Sequence, residues 1–184
     1  MIDLFRDEFN KNPKMWTFIV TSLLALFYAA LKIKNEPNDY LKNSNFITFQ
    51  GFELRTPSWW TKTVEEDNLI RFERTDTSYD WYAEYWSINN PKKDITSLLR
   101  DLKTDLKIVF DEPNNLESFK IDEIRVARME GMSTINGIER AYFDMFASEY
   151  QGKVLIGKSH SSILNGCVEG PYFEEVLQRL KIQA

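Results

Sequence analysis

The single histidine, His160, stands in the run Gly157-Lys158-Ser159-His160-Ser161-Ser162. A serine hydrolase needs a hydroxyl, an imidazole base and an orienting acid to converge. Asp144 or Asp80 would supply the acid. Adjacent strand residues point to opposite faces, which argues against His160 pairing with its own neighbours. A hydrolase using His160 with a nearby serine is kept as an alternative reading. Gly157-Lys158-Ser159 echoes the end of a phosphate-binding loop, but it is set aside because Lys153 stands four residues before Gly157, where the upstream glycine is sought, and a strand rather than a helix follows. The acidic groups Glu65-Glu66-Asp67 and Asp111-Glu112 lack the spaced oxygen series of a calcium loop and read as solvated charge. Cys167 is the one cysteine, which excludes an internal disulfide and a cysteine-based metal site. No metal or cofactor is expected. A reducing compartment fits this usage, and so does a periplasm or mitochondrial space.

Aromatic and arginine residues offer binding rather than catalysis. Trp59, Trp60, Trp81 and Trp86 combine large apolar area with a polar handle, as interface residues do. Filling the core of a domain of this size is the competing role. Trp81 and Trp86 are an odd number of residues apart on one strand, so they cannot share a face. Arg125, Arg128 and Arg140 are expected along one hairpin face, facing an acidic partner or paired with Glu123, Glu130 and Glu139. From Asn45 onward, 17 Lys and Arg stand against 23 Asp and Glu. Such an acidic domain argues against nucleic acid as a partner and against docking on anionic lipid heads.

The elements that must position these residues follow from period and turn chemistry. Phe46–Phe49 and Phe52–Leu54 flank Gln50-Gly51 and read as a hairpin that Pro57 ends. Leu69 to Arg74 alternates, and Trp81 to Ile88 is β-prone throughout. Asp94 to Phe110 reads as a helix with Asp94 as N-cap and Pro113 beyond its end. Ile95, Leu98, Leu99, Leu102 and Leu106 form its apolar stripe. Phe119 to Met132 reads as one long strand, joined through Asn136-Gly137 to Ile138–Ser148. Gln151-Gly152 turns into a final strand, Lys153 to Leu164. Gly170-Pro171 opens a closing helix with Phe173, Val176, Leu177 and Leu180 on one stripe. Hairpin connections predict a mainly antiparallel sheet, and two helices must cover its apolar faces. The fold class is α+β.

Met15 to Leu31 carries no charge. Seventeen helical residues reach about 25 Å, just short of a hydrocarbon core of about 30 Å. Lys14, Lys32 and Lys34 can snorkel to the headgroups, and Trp16 and Tyr28 lie near the two ends, where such rings prefer the interface. The division expected is a tail over 1–14, a single transmembrane anchor helix over 15–34, a linker over 35–44 and a soluble domain over 45–184. A cleaved signal peptide and a buried core helix are the alternatives. Asp3, Asp7 and Glu8 in the leader, with Tyr28 and Leu31 around Ala29-Ala30, speak against cleavage. Arg6, Lys11 and Lys14 before the span balance Lys32, Lys34 and Lys42 after it, so orientation is weakly specified.

The run FITFQGFELRTPSWW, with Pro57-Ser58-Trp59-Trp60 as a Pro-x-x-Trp element, resembles the opening of the PsbP-like family, named for an extrinsic subunit of photosystem II. MSTINGIERAYFDMFASEYQGKVLIGKSHSSIL is similar to that family's central hairpins, and GPYFEEVLQRL to its closing helix. The resemblance spans Asn45 to the C-terminus. It implies an α/β/α sandwich and no reaction, because members mostly bind other proteins. It carries over no functional residue, and the anchor departs from the photosystem protein. The resulting expectation is a non-enzymatic, membrane-anchored accessory subunit with a protein partner. A bacterial inner membrane with a periplasmic domain is the first location and a mitochondrial inner membrane the second. A carrier of small apolar ligands, with a cavity between sheet and helix, is a further alternative.

Overall fold

The structure, a computed structural model, describes residues 12–183 except 77, 79 and 114, and of residues 31–39 and 41 it describes the backbone alone. Asp3, Arg6, Asp7, Glu8, Lys11 and Tyr79, and the side chains of Lys32 and Lys34, therefore lie outside the described residues. The chain divides at Asn43 into two units.

The first unit is helix α1, Pro13–Lys42. Its stretch Pro13–Ala30 is long and apolar enough to cross a membrane, and none of that stretch is buried. A signal sequence would meet the same criterion. The Thr17 and Thr21 hydroxyls donate to the carbonyls of Pro13 and Thr17, at 2.8 and 2.7 Å. Polar side chains bonded in this way to their own helix suit an apolar surrounding. The helix does not end where the linker was expected. It runs through Pro37 to Lys42, so the segment that composition marks as loop is helical in its backbone.

Among the described residues, the second unit holds eleven strands and two helices. Strands β1 (Ser44–Phe49), β2 (Phe52–Pro57) and β11 (Lys181–Ile182) make a small sheet in the order β1-β2-β11. The main sheet runs β3 (Thr61–Glu66), β4 (Leu69–Glu73), β5 (Tyr82–Asn89), β10 (Lys153–Ser161), β9 (Glu139–Tyr150), β8 (Ile124–Ile135) and β6 (Ile108–Phe110). Strand β7 (Leu116–Ile121) pairs with the first half of β8. Every pairing is antiparallel.

Helix α2 (Ile95–Asp105) covers β6, β8 and β9 on one face, where Ile95 and Leu99 meet Ala127, Met129, Met145 and Ala147. Helix α3 (Ile163–Gln178) lies on the other face with the small sheet, where Phe173, Val176 and Leu177 meet Val126, Phe146, Leu155 and Phe52. Alternation along β8, β9 and β10 feeds the two cores in turn. Val126, Phe146 and Leu155 point to one, and Ala127, Ala147 and Ile156 to the other. The α+β class, the antiparallel sheet and the helices on its faces are as the sequence leads one to expect.

Several boundaries differ. The helix expected over Asp94–Phe110 stops at Asp105, because Lys107 turns left-handed at φ 52° and the β-branched pair Ile108-Val109 joins the sheet as β6. Asp94 caps α2 as expected, accepting from the Thr96 and Ser97 amides. The strand expected from Phe119 is a hairpin instead. Asp122, at φ 50°, turns β7 into β8, a conformation aspartate tolerates better than most residues. The final strand ends at Ser161, and α3 begins at Ile163, so Pro171 lies inside the helix rather than at its opening. Strand β3, whose sequence TKTVEE has almost no apolar alternation, escapes period analysis because it is an exposed edge.

Candidate functional site

Helix α2 covers the β6–β8–β9 side of its face, which continues onto the β4–β5 half, and the opposite face of that half is covered by α3, whose Phe173 stacks on Tyr85. Register brings Arg71 opposite Glu84, Glu84 opposite Lys158, and Tyr82 opposite His160 on that half. Lys158 Nζ lies 2.6 Å from Glu84 Oε2, and Arg71 Nη1 donates to Glu84 Oε1 at 3.3 Å. Arg71 Nε also lies 2.7 Å from Glu73. The Arg71 guanidinium sits 4.1 Å from the centre of the Tyr82 ring, and Lys158 Nζ at 5.3 Å. Trp86 is half-buried beside them, against the core under α2. A strip of charged and aromatic side chains thus lies flat on the sheet, held by its own ion pairs.

His160 belongs to this strip. Its ring packs between Tyr82 at 5.1 Å and Phe143 at 4.8 Å. Neither ring nitrogen has a hydrogen-bond partner among the described residues, and Glu139 Oε1 is 3.7 Å from Nε2. Burial pushes the imidazole below its ordinary pKa, against the pull of the Glu139 carboxylate. It is therefore neutral at pH 7. Its alternating neighbours are on the far side of the sheet. Ser159 accepts the Trp81 indole N–H at 2.9 Å, and Asp144 stands opposite Ser159 on β9. Asp80 accepts the Ser162 amide at 3.3 Å and the Asn165 side chain, capping α3 from a distant loop. The sheet therefore separates His160 from Ser159, Ser161 and Asp144.

The glycine–lysine–serine run has a structural explanation. Counted from Gly152, it has the full spacing of a phosphate-binding loop, yet it is the strand β10. Gly157 faces Phe146 across the ladder, and a Cβ there would overlap the phenyl ring. Among the described residues no cluster of three or more His, Cys, Asp or Glu is placed to hold a metal.

The sequence-named aromatics separate by burial. Trp60 and Trp81 are 4% and 2% exposed and pack together, ring centres 4.3 Å apart. Trp60 donates its indole N–H to Glu169 at 2.9 Å, and Arg74 pairs with the same fully buried carboxylate. These two tryptophans are core residues rather than surface ones. Trp59 is half-buried, edge-on to Tyr172 with ring centres 4.9 Å apart. Trp81 and Trp86 serve opposite cores, as their odd separation requires.

The arginines separate too. Arg125 is 57% exposed and pairs across strands with Glu149 at 3.0 Å. Arg128 lies on the opposite face, 6% exposed. Its Nε and Nη2 donate to the Asp144 carboxylate at 3.0 and 2.7 Å, and Nη2 also donates to Glu130 at 2.6 Å. Arg140 holds Asp111 bidentately, both bonds 2.7 Å. The three arginines do not line one face, because Arg125 has odd parity on β8 and Arg128 even. Glu130, two residues on along β8, is the Arg128 partner that local spacing announces; Asp144 on β9 and, for Arg140, Asp111 at the end of β6 are not.

The spaces between sheet and helices that a carrier would need are packed. Phe146, Phe173 and Tyr85 stack beneath α3, with ring centres 5.5 to 6.1 Å apart. Hollows open to solvent lie elsewhere on the domain. One of about 450 Å³ lies by Gly51, Tyr150 and Lys153, and one of about 340 Å³ lies by Glu130 and Tyr142.

No protein-family model matches the sequence, and no curated protein matches it. Solved structures do match the fold. Cyanobacterial PsbP (CyanoP) of Synechocystis sp. PCC 6803 superposes with a TM-score of 0.57 at 13% identity, covering 76% of this chain and 92% of its own. The Ran-binding protein Mog1p of Saccharomyces cerevisiae superposes with a TM-score of 0.52 at 4% identity, over 76% of this chain and 95% of its own. Protein PA94 of Pseudomonas aeruginosa, a putative regulator, gives 0.50 at 10% identity, over 77% and 99%. The fold is thus PsbP/Mog1-like, and at these identities the likeness concerns the fold alone.

Proposed function

We propose that this chain is a non-enzymatic, membrane-anchored accessory subunit that docks its α+β domain on a larger membrane protein complex. The observation that carries this reading is the half-buried strip of charged and aromatic side chains on the β4, β5 and β10 strands, on the face that α2 shares. Its aromatic and charged side chains are fixed by one another rather than aimed at a reacting centre. The fold is shared with a Ran-binding protein and with PsbP, which supports a binding role for this domain. Trp86, Trp59 and Arg125 are the surface residues offered to the partner. Trp60, Trp81 and Arg128 act from inside by fixing the strands that present them.

Helix α1 is the anchor in this reading, with Lys14, Trp16 and Tyr28 at the interfaces and Lys32 and Lys34 at the domain-proximal end. A bacterial inner membrane with a periplasmic domain is the first location, and a mitochondrial inner membrane is the alternative. Tethering raises the domain's local concentration at a membrane partner. The deciding experiment is mild detergent solubilisation of the native full-length protein, then sizing and mass spectrometry of what travels with it. Stoichiometric co-migration with a larger membrane assembly is expected, and it should weaken in Trp86→Ala. Migration as a lone detergent-bound monomer would sink the subunit role.

A further inference from the structure

A solvent-open groove of about 340 Å³ lies where β6 ends against the β8–β9 hairpin. Its floor is bare backbone at Gly131, which adopts φ 140°. A side chain there would be strained, and its Cβ would lie 3.8 Å from Phe110. One wall is the Tyr142 ring, backed by α3 where Gly166 and Gly170 let the helix come close. Another is Met132, a large apolar residue left 47% exposed. The rim carries Asp111, Glu112 and Glu130.

The charges on this rim are not balanced. Arg140 neutralises Asp111 through its bidentate pair. Glu112 has no ion-pair partner among the described residues. Glu130 is held in place by Tyr142 OH at 2.9 Å and by Arg128 at 2.6 Å, both bonds falling on Oε2. Arg128 also serves Asp144, and it lies 3.5 Å from Glu174, so one guanidinium stands among three carboxylates. The groove therefore joins apolar and aromatic walls to an excess of negative charge.

We infer that this groove receives an arginine side chain of the protein partner. The aliphatic stem lies on Met132 and the Tyr142 ring, and the guanidinium reaches Glu112 and Glu130. A planar fork suits two carboxylates beside an aromatic face better than a compact ammonium does. A divalent cation would want six or more oxygen ligands, and a thioether and a ring supply none. The inference rests on the protein-binding reading and names the partner's chemistry at one site.

The test uses the full chain in phosphatidylcholine nanodiscs at low salt. The probes are acetyl-Gly-Arg-Gly-amide and its lysine and citrulline counterparts. The readouts are NMR shifts of the Met132 methyl and the Gly131 amide. Saturable shifts are expected with the arginine peptide, with affinity about tenfold weaker for citrulline, which keeps the shape and loses the charge. Glu112→Gln and Glu130→Gln should each weaken arginine binding, and Glu65→Gln on the distant strand β3 should not. Glu112→Gln breaks no hydrogen bond or ion pair among the described residues, so it reports on binding even if Glu130→Gln disturbs Tyr142. Absent shifts, equal response to citrulline, tighter lysine binding, or equal loss in Glu65→Gln would each overturn the inference. Co-migration in detergent separates the two readings. Variant Glu112→Gln/Glu130→Gln that keeps its assembly sinks the groove as a docking site and leaves the subunit role standing. Arginine binding by a chain that migrates alone sinks the subunit role while the groove stands.

Discussion

His160 and Asp144 lie back to back across the sheet, and burial moves them in opposite directions. The His160 imidazole is pushed below 6.5 by its place between Tyr82 and Phe143. An unfolded histidine takes a proton near 6.5, while the folded one resists it. The native state then binds fewer protons in that window, and stability falls as pH drops below 6.5. His160→Phe should remove this acid sensitivity, read as a smaller difference between denaturation midpoints at pH 7.5 and 5.5. Asp144 is pushed from 3.8 up to about 6 by complete burial, with Arg128 pulling the other way. Here the native state holds its proton more tightly than the unfolded chain. The stabilisation is full below 3.8 and is lost as pH rises through about 6. Carboxyl carbon NMR should show one aspartate titrating near 6, and Asp144→Asn should abolish that transition.

Two contacts between elements carry predictions of their own. Ser162 is the N-cap of helix α3, and its own side chain makes no capping bond. Asp80, just before β5, supplies the acceptor instead. Asp80→Ala should cost about 1 kcal/mol, as loss of a cap does. Amide exchange at Ser162 should quicken with it, since this is the amide Asp80 accepts. Strands β9 and β10 meet at Gly157 and Phe146, where the missing side chain makes room for the ring. Gly157→Ala should destabilise the domain by about 1–3 kcal/mol through overpacking. Calorimetry should show the loss, and the double variant with Phe146→Leu should recover part of it. Neither contact is visible in local sequence. Asp80 lies 82 residues from Ser162, and the run around Gly157 imitates a nucleotide loop.

For the whole molecule, the separation between a long apolar helix and an acidic domain sets the expected behaviour. Full-length protein should stay in the membrane fraction through alkaline carbonate washing. A chain lacking residues 1–34 should appear in the soluble fraction. Equal solubility of both would remove the anchor role from α1 and return it to a signal or surface helix. The domain itself needs both cores, because each helix covers one face and the strands between them feed both.

The amino-acid sequence by itself determined the features that need only a few neighbouring residues. Gln50-Gly51, Asn136-Gly137 and Gln151-Gly152 all take positive φ at both positions, which is the twist a tight hairpin requires. The Ile95–Leu106 stripe and the Asp94 cap made a helix, and an uncharged run made another, because period and composition act locally. Tertiary structure alone decided the rest. It put Trp60 and Trp81 inside and left Trp86 at the sheet surface, and it gave Glu169 to a tryptophan 109 residues away. It recruited the polar sequence TKTVEE as an edge strand through ladder bonds to β4. It also set Arg128 against Asp144 from the neighbouring strand. These outcomes depend on which backbone lies alongside which, and on the volume left over when two helices close on one sheet, quantities that no short window of sequence contains.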